Sequence, residues 1–358
     1  MRLHVVAFPH QPVTIDRSEC AYTQKARRFA NWMTQLGHEV ILYSVGETDT
    51  TVTEHVRLDL GDALERGDAM SFQADDPAWA VLNHEAEREI RARMKGGAGE
   101  YLCLLGGHAH APLVEALPLQ VVEYGVGYEG VLPNSFRAFE SYAWMHTVYG
   151  HTMGAAAADG RFYDTVIPNC YDSEEFPVGD GSGGYALYLG RLTERKGVAI
   201  LDDLARQGMG VIVAGSGEWR PVACQYVGRA GPEERASLLR NARALIAPTL
   251  YLEPFGGVVV EAQLCGTPVI TTDWGGFTET VDEGVSGYRC RSLADFLGAW
   301  EKVGQLDREV IRKRALERWS APVAKALYTA WFGRLETLWG KGWYTLPGEV
   351  VAGTSPPA

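Results

Sequence analysis

The second half of the chain repeats one pattern, and that pattern leaves few folds open. A short apolar run is followed by a loop and then by a longer segment of helical period. Tyr185 to Leu189, Val211 to Ala214, Ala244 to Pro248 and Pro268 to Thr272 are the apolar runs. Helical segments fall between and after them: Pro232 to Asn241, where proline suits a first helical turn, then Asp295 to Val303 and Arg308 to Arg318. Short buried strands alternating with helices imply a parallel sheet wrapped by helices.

The first half reads the same way. Leu3 to Phe8, Glu39 to Tyr43, Tyr101 to Leu105 and Leu119 to Val122 are strands. Cys20 to Leu36 is a helix with Tyr22, Ala26, Phe29 and Met33 on one face, closed by Gly37. Asn83 to Lys95 reads as a solvated, charged helix. The aromatics of Phe136 to Tyr149 sit at helical spacing and suit a core, and Val323 to Trp339 is a long aromatic-rich helix. The 358 residues are enough for two domains of this α/β class. A connector rich in glycine, Gly179 to Gly184, follows the midpoint, and the tail Gly348 to Ala358 has the composition of a frayed end.

Composition narrows the function classes. With 46% hydrophobic and 22% charged residues the chain is of soluble globular type. It has no apolar run long enough to span a bilayer, and Met1 to Pro9 lacks a cleavage site, so a cytoplasmic protein without a secretory signal is expected. The six scattered cysteines form no C-x-x-C pair and read as reduced thiols. A net charge of −12 with no dense basic tract disfavours non-specific nucleic-acid binding and strong docking to anionic lipid.

Candidate chemistry concentrates at Glu253-Pro254-Phe255-Gly256-Gly257-Val258-Val259-Val260-Glu261, which reads as strand end, tight loop and helix start. Glycines let a ligand approach the backbone, and a helix start offers free N–H groups to a phosphate. Glu253 precedes the glycines and Glu261 lies about one turn into the helix. Carboxylates accept hydrogen bonds from hydroxyls, so the layout suits a ligand with hydroxyls on both sides of a phosphate, as in a nucleotide sugar. By spacing alone, a plain loop with one helix-starting and one solvated glutamate fits equally well. Upstream, Arg191 and Lys196 flank the loop after the first strand of this half, beside Gly190. Arg as a planar fork and Lys as a point charge suit a pyrophosphate; an exposed basic turn is the plainer alternative. Gly215-Ser216-Gly217 ends the next strand, near a nucleotide or as a simple turn, and Val227 precedes Gly228, where its backbone would face a base.

In open α/β sheets ligands bind at the carboxyl ends of the strands. Three first-half loops follow such ends: one with Arg17, one with His108 and His110, and one with Glu123 and Tyr124. These are the candidates for an acceptor side. The two histidines at i, i+2 have no third ligand nearby, so no metal site is expected.

Together these segments resemble the retaining glycosyltransferases of family four, which have the GT-B fold: two Rossmann-like, doubly wound domains facing across a cleft. Glu253 to Glu261 resembles the family's E-x7-E, Gly190 to Gly197 its G-R-x(4)-K-G, Gly266 to Ile270 its G-x-P-V-I, and Gly275-Gly276 with Glu279 its G-G-x-x-E. Val166 to Asp172 resembles the I-P-N-G-V-D linker, with Cys170 in place of the glycine, and His108 to His110 resembles an H-x-H. Where the family carries a histidine after the next strand, this chain has Glu123-Tyr124-Gly125.

The resemblance implies a first domain of residues 1–167 plus a returning 323–358, and a nucleotide-sugar domain of 168–322. It implies that Glu261 holds the ribose hydroxyls and Glu253 the sugar hydroxyls, with the backbone of Phe255, Gly256, Gly257 and Val258 against sugar and phosphate. It implies a metal-independent, same-face transfer of a hexose from a nucleotide sugar to an acceptor hydroxyl, with no cofactor. Arg17, His108, Glu123 and Tyr124 then become candidate contacts to acceptor or sugar, with a structural role for Glu123 or Tyr124 fitting equally well. The acceptor class (glycan, small metabolite, protein or modified DNA) stays open. So do two other readings, a GT-B epimerase or phosphorylase and a non-catalytic nucleotide-sugar-binding protein.

Overall fold

The computed structural model describes residues 1–61, 76–153 and 161–337. They fall into two compact units. One comprises the described residues of Met1–Phe139, Thr152–Ile167 and Lys325–Ala358; the other comprises Glu140–His151 and Pro168–Ala324. The Pro/Gly/Thr-rich tail lies outside the described residues, as does Trp339 at the end of the expected last helix.

In the first unit, β1 (Arg2–Val6), β2 (Glu39–Val45), β3 (Glu54–Leu58), β4 (Glu100–Leu104), β5 (Gln120–Val126), β6 (Phe136–Phe139) and β7 (Thr165–Val166) form a sheet in the order β3-β2-β1-β4-β5-β6-β7. Every pairing is parallel. Strands β1 and β4 are apolar and almost wholly buried because the sheet is covered on both faces. Helix Ala21–Gln35 turns Ala26, Phe29, Ala30 and Met33 inward. Phe29 stacks on Tyr124 at 4.0 Å between ring centroids, and Tyr101 meets Phe332 edge-on. Helix Ala321–Glu336 supplies Tyr328, Trp331 and Phe332 to this core; Tyr328 Oη donates to the carbonyl of Tyr124 and Trp331 Nε1 to that of Tyr163.

In the second unit, β8 (Ala186–Leu189), β9 (Val211–Ala214), β10 (Gln225–Gly228), β11 (Ala244–Ala247), β12 (Val269–Thr272) and β13 (Gly287–Cys290) form a parallel sheet in the order β10-β9-β8-β11-β12-β13. Leu187 pairs with Ile212 on one side and Leu245 on the other. Both sheets run outward in two directions from their first strand, which is the Rossmann-like arrangement. In each, the order reverses beside that first strand, the position at which open α/β sheets take ligands at the strands' carboxyl ends.

The single helix expected over Phe136 to Tyr149 is instead strand β6 followed by helix Tyr142–Val148. Phe136–Phe139 extends β5 in parallel, so pairing overrides the helical spacing of its aromatics. Ser141 then starts the helix, its Oγ accepting from Trp144 N at 3.0 Å. That helix belongs with the second unit: the Glu279 carboxylate accepts from Tyr142 N at 3.0 Å and Ala143 N at 2.7 Å.

Candidate active site

The reversal point of the second sheet lies between β8 and β11. The loop after β8 carries Gly190, Arg191 and Lys196; the loop after β11 carries Tyr251 and Glu253. The two loops meet. Lys196 Nζ donates to Glu253 Oε2 at 2.6 Å, and Leu250 N donates to the carbonyl of Arg195 at 3.0 Å. Tyr251 lies under both cations, with the Arg195 guanidinium 4.1 Å and Lys196 Nζ 5.0 Å from its ring centroid. Burial pushes the Tyr251 phenol upward, followed by the adjacent Glu253 carboxylate, with which it also hydrogen-bonds. Tyr251 therefore stays protonated and donates to Glu253. Arg191 is exposed, and among the described residues its guanidinium has no hydrogen-bond or ion-pair partner. Tyr188 holds the local backbone by donating from Oη to the Arg191 carbonyl at 2.6 Å.

The Glu253 loop is pinned from behind. Gly276 N donates to the Glu253 carbonyl at 2.7 Å, and a side chain at Gly275 would collide with the same backbone. Ser141 Oγ donates to the Pro254 carbonyl at 2.6 Å. Gly256 then turns the chain into helix Gly257–Leu264 with φ +83°. A Cβ there would lie 2.4 Å from the Phe277 ring, so both conformation and space demand glycine. No side chain caps this helix, so no cap occupies its first N–H groups. Tyr171 Oη sits 2.5 Å from where a Gly257 Cβ would be. Immediately after β9, Gly215 comes so close to Gly190 that a Cβ on it would fall 1.8 Å from the Gly190 carbonyl oxygen. Leu192 N donates to the Ser216 carbonyl at 2.8 Å, and Leu192 bridges to Gly217. The arrangement is a cradle of backbone and cations at the end of a parallel sheet, suited to an anion carrying hydroxyls.

The sequence pattern of the glycosyl transferases group 1 family matches residues 178–295. The glycogen synthase of Mycobacterium tuberculosis is 35% identical over 363 residues, covering 85% of this chain and 86% of that protein. The chain belongs to the group 1 glycosyltransferases. Solved structures agree on the fold of this glycosyltransferase. A sucrose-phosphate synthase from Thermosynechococcus elongatus superposes with a TM-score of 0.72 at 16% identity, over 94% of this chain and 99% of that one. The Anabaena protein Alr3699/HepE, in complex with UDP-glucose, gives 0.64 at 13% identity, over 93% and 100%. The glycosyltransferase is thus of GT-B type, with two Rossmann-like units.

Of the residues singled out from sequence, the glycosyltransferase's second unit brings Gly190, Arg191, Lys196, Ser216, Gly217, Glu253 and the Phe255–Val258 backbone to the loops at one end of one sheet. The Phe255 side chain is buried. Val227 lies in the outermost strand, β10, beside Tyr226, whose Oη donates to the Gly215 carbonyl at 2.9 Å. Glu261 is buried and already paired: Arg235 Nε donates to its Oε2 at 2.8 Å, and Arg235 Nη2 reaches the same oxygen.

The first unit divides its candidates. Arg17, in the short 3-10 turn Ile15–Arg17, is half-buried, and His108 is exposed. His110 does not join His108. It is fully buried, with Nδ1 2.7 Å from Asn83 Oδ1, and burial lowers its pKa to about 4. Glu123 and Tyr124, expected as sugar or acceptor contacts, have their side chains in the core. Glu123 accepts from Tyr128 Oη at 2.8 Å, Leu132 N at 3.0 Å and Ser135 Oγ at 2.5 Å, facing buried Arg137 at 3.6 Å. Its pKa is raised, burial outweighing these partners. Tyr124 is stacked beneath Phe29 with no exposed surface. Sequence reasoning missed Arg235 and Tyr251. Arg235 stands in Pro-Glu-Glu-Arg with no local signature, but Tyr251, two residues before Glu253 in a loop, was an available signal.

Proposed function

We propose that this glycosyltransferase is a retaining hexosyltransferase that moves a hexose from a nucleoside-diphosphate sugar to an acceptor hydroxyl. The observation that carries this reading is the 2.6 Å contact between Lys196 and Glu253 across the reversal point of the second sheet. It sets a cation for the leaving diphosphate beside an acceptor for the sugar's hydroxyls. The glycogen synthase similarity and the UDP-glucose held by the Anabaena protein support a nucleotide-sugar donor.

In this reading the bond between the anomeric carbon and the diphosphate oxygen breaks while the acceptor oxygen bonds to the same face of that carbon. The acceptor's proton passes to the departing phosphate oxygen. Arg191, Lys196 and the first N–H groups of helix Gly257–Leu264 stabilise the charge that grows on the diphosphate, most strongly in the transition state. Fixed cations in that position do the work a divalent ion would do, so the reaction is metal-independent and needs no cofactor. Glu253 and Glu261 take opposite ends of the donor, the sugar and ribose hydroxyls, and are not a nucleophile and acid pair at the ~5 Å separation of double-displacement glycosidases. Arg17 and His108 belong to the acceptor side. Among the described residues no helix is long and apolar enough to cross a membrane, and we place the reaction in the cytoplasm.

The test is incubation with UDP-, ADP- and GDP-hexoses, with and without an acceptor panel and with chelator present. An α-linked product formed in chelator is expected; a β-linked product contradicts retention. Lys196→Ala should lower kcat by about a hundredfold or more, as loss of a transition-state charge contact does. Turnover without acceptor to an epimer or sugar phosphate would replace the reading.

A further inference from the structure

Glu261 has only one of its oxygens engaged by Arg235. The Nε and Nη2 groups of Arg235 both converge on Oε2. A guanidinium facing a carboxylate squarely would take one oxygen with each nitrogen. Here the second oxygen, Oε1, takes no part in the pair. The two side chains retain only 17% and 10% exposure, and they join helix Pro232–Asn241 to helix Gly257–Leu264 within the second unit. A rigid guanidinium fork on one oxygen fixes the carboxylate's rotation. Without it, a glutamate one turn into a helix samples several rotamers, and each hydroxyl it binds must first order it.

We propose that Arg235 is the positioning residue for ribose recognition. It holds Glu261 by Oε2 and so keeps Oε1 available to a ribose hydroxyl, which makes it the residue that sets discrimination between ribo- and deoxyribonucleotides. This rests on the reading of the second unit as a nucleoside-diphosphate site. Arg235 itself touches neither the reacting carbon nor the diphosphate in this scheme; it acts through Glu261. A buried carboxylate that is held but half-engaged rejects a ligand lacking the hydroxyl, because its free oxygen is then desolvated without a partner.

The experiment is calorimetry on the full chain with UDP, ADP and GDP and their 2′-deoxy and 3′-deoxy counterparts. The wild type is expected to bind at least one ribonucleoside diphosphate and to bind a deoxy counterpart about tenfold or more weakly, the scale of one hydrogen bond to a charged group. Arg235→Ala should weaken the ribonucleotide about tenfold and bring the ribo-to-deoxy ratio close to one. Arg235→Lys keeps the charge without the fork, and the ratio should fall there as well. In a Glu261→Gln background, Arg235→Ala should cause no further loss. Far-UV circular dichroism and melting check each fold; if Arg235→Ala does not fold, Arg235→Lys carries the test. A folded variant with the wild-type ratio overturns the proposal, as does a wild type that shows no discrimination. Binding of no ribonucleoside diphosphate by the wild type would instead remove the underlying reading of the site, and this proposal with it.

Discussion

Tyr251 joins the loop after β8 to the loop after β11. Its ring carries Arg195 and Lys196, and its hydroxyl serves Glu253. Tyr251→Phe keeps the ring and removes the donated hydrogen bond. It should lower kcat/KM about three- to tenfold while leaving nucleoside-diphosphate affinity nearly unchanged, since a neutral donor's net worth is about a kcal/mol. Calorimetry beside steady-state kinetics separates the two; an equal loss in both would mean that Tyr251 supports Lys196 rather than Glu253. In the first unit, His110 illustrates how a titratable residue can matter without chemistry. Its pKa of about 4 lies below the ordinary 6.5 because burial disfavours the imidazolium. The unfolded chain therefore binds the proton first. The stability held by neutral His110 is complete above about pH 6.5 and is lost as pH falls toward about 4. The gap in urea midpoint between wild type and His110→Gln should narrow across that window; a gap independent of pH would refute this.

At the scale of elements, the strand–loop–helix passage from β11 to helix Gly257–Leu264 is the most constrained piece of backbone. Gly256→Ala meets two penalties at once, a left-handed φ of +83° and the Phe277 ring 2.4 Å from the new methyl. Together these should cost about 2–4 kcal/mol, read as a lower urea midpoint at unchanged slope. A midpoint within error of wild type would show that the loop can shift. This passage was legible from sequence because each of its demands leaves a residue-level mark: paired glycines, flanking carboxylates, a short apolar strand before and an apolar helix after. Where the marks conflict, the reading failed. Phe136–Phe139 has aromatics at helical spacing but is drawn into a strand by β5, a partner distant enough that no local window contains it. Arg235 was invisible for the same reason, since its partner Glu261 lies in another helix. Glu123 and Tyr124 were read as the loop after a strand ending at Val122, but pairing with β4 and β6 carries β5 on to Val126, so both are strand residues with their side chains in the core.

At the scale of the molecule, both halves announced parallel sheets through the spacing of their apolar runs, and the second half carried the dense motifs of its family as well. The first half did not, because its loops carry polar residues without a dense motif. What ties its core together comes from far along the chain. Trp331 is wholly buried in the first unit and bonded to Tyr163. Trp331→Ala should destabilise that unit by about 3–5 kcal/mol and leave the second unit's melting nearly untouched. Two resolved unfolding transitions, only one of them shifted, are expected in calorimetry; a common shift would mean that the units unfold together.

The late arrival of that helix has a bearing on synthesis. A ribosome will have released every strand of the second sheet before it delivers Tyr328, Trp331 and Phe332, so the unit begun first is completed last. Until then Phe29 and Tyr101 lack the rings of Tyr328 and Phe332, and the nascent first unit is an open apolar surface awaiting its final helix.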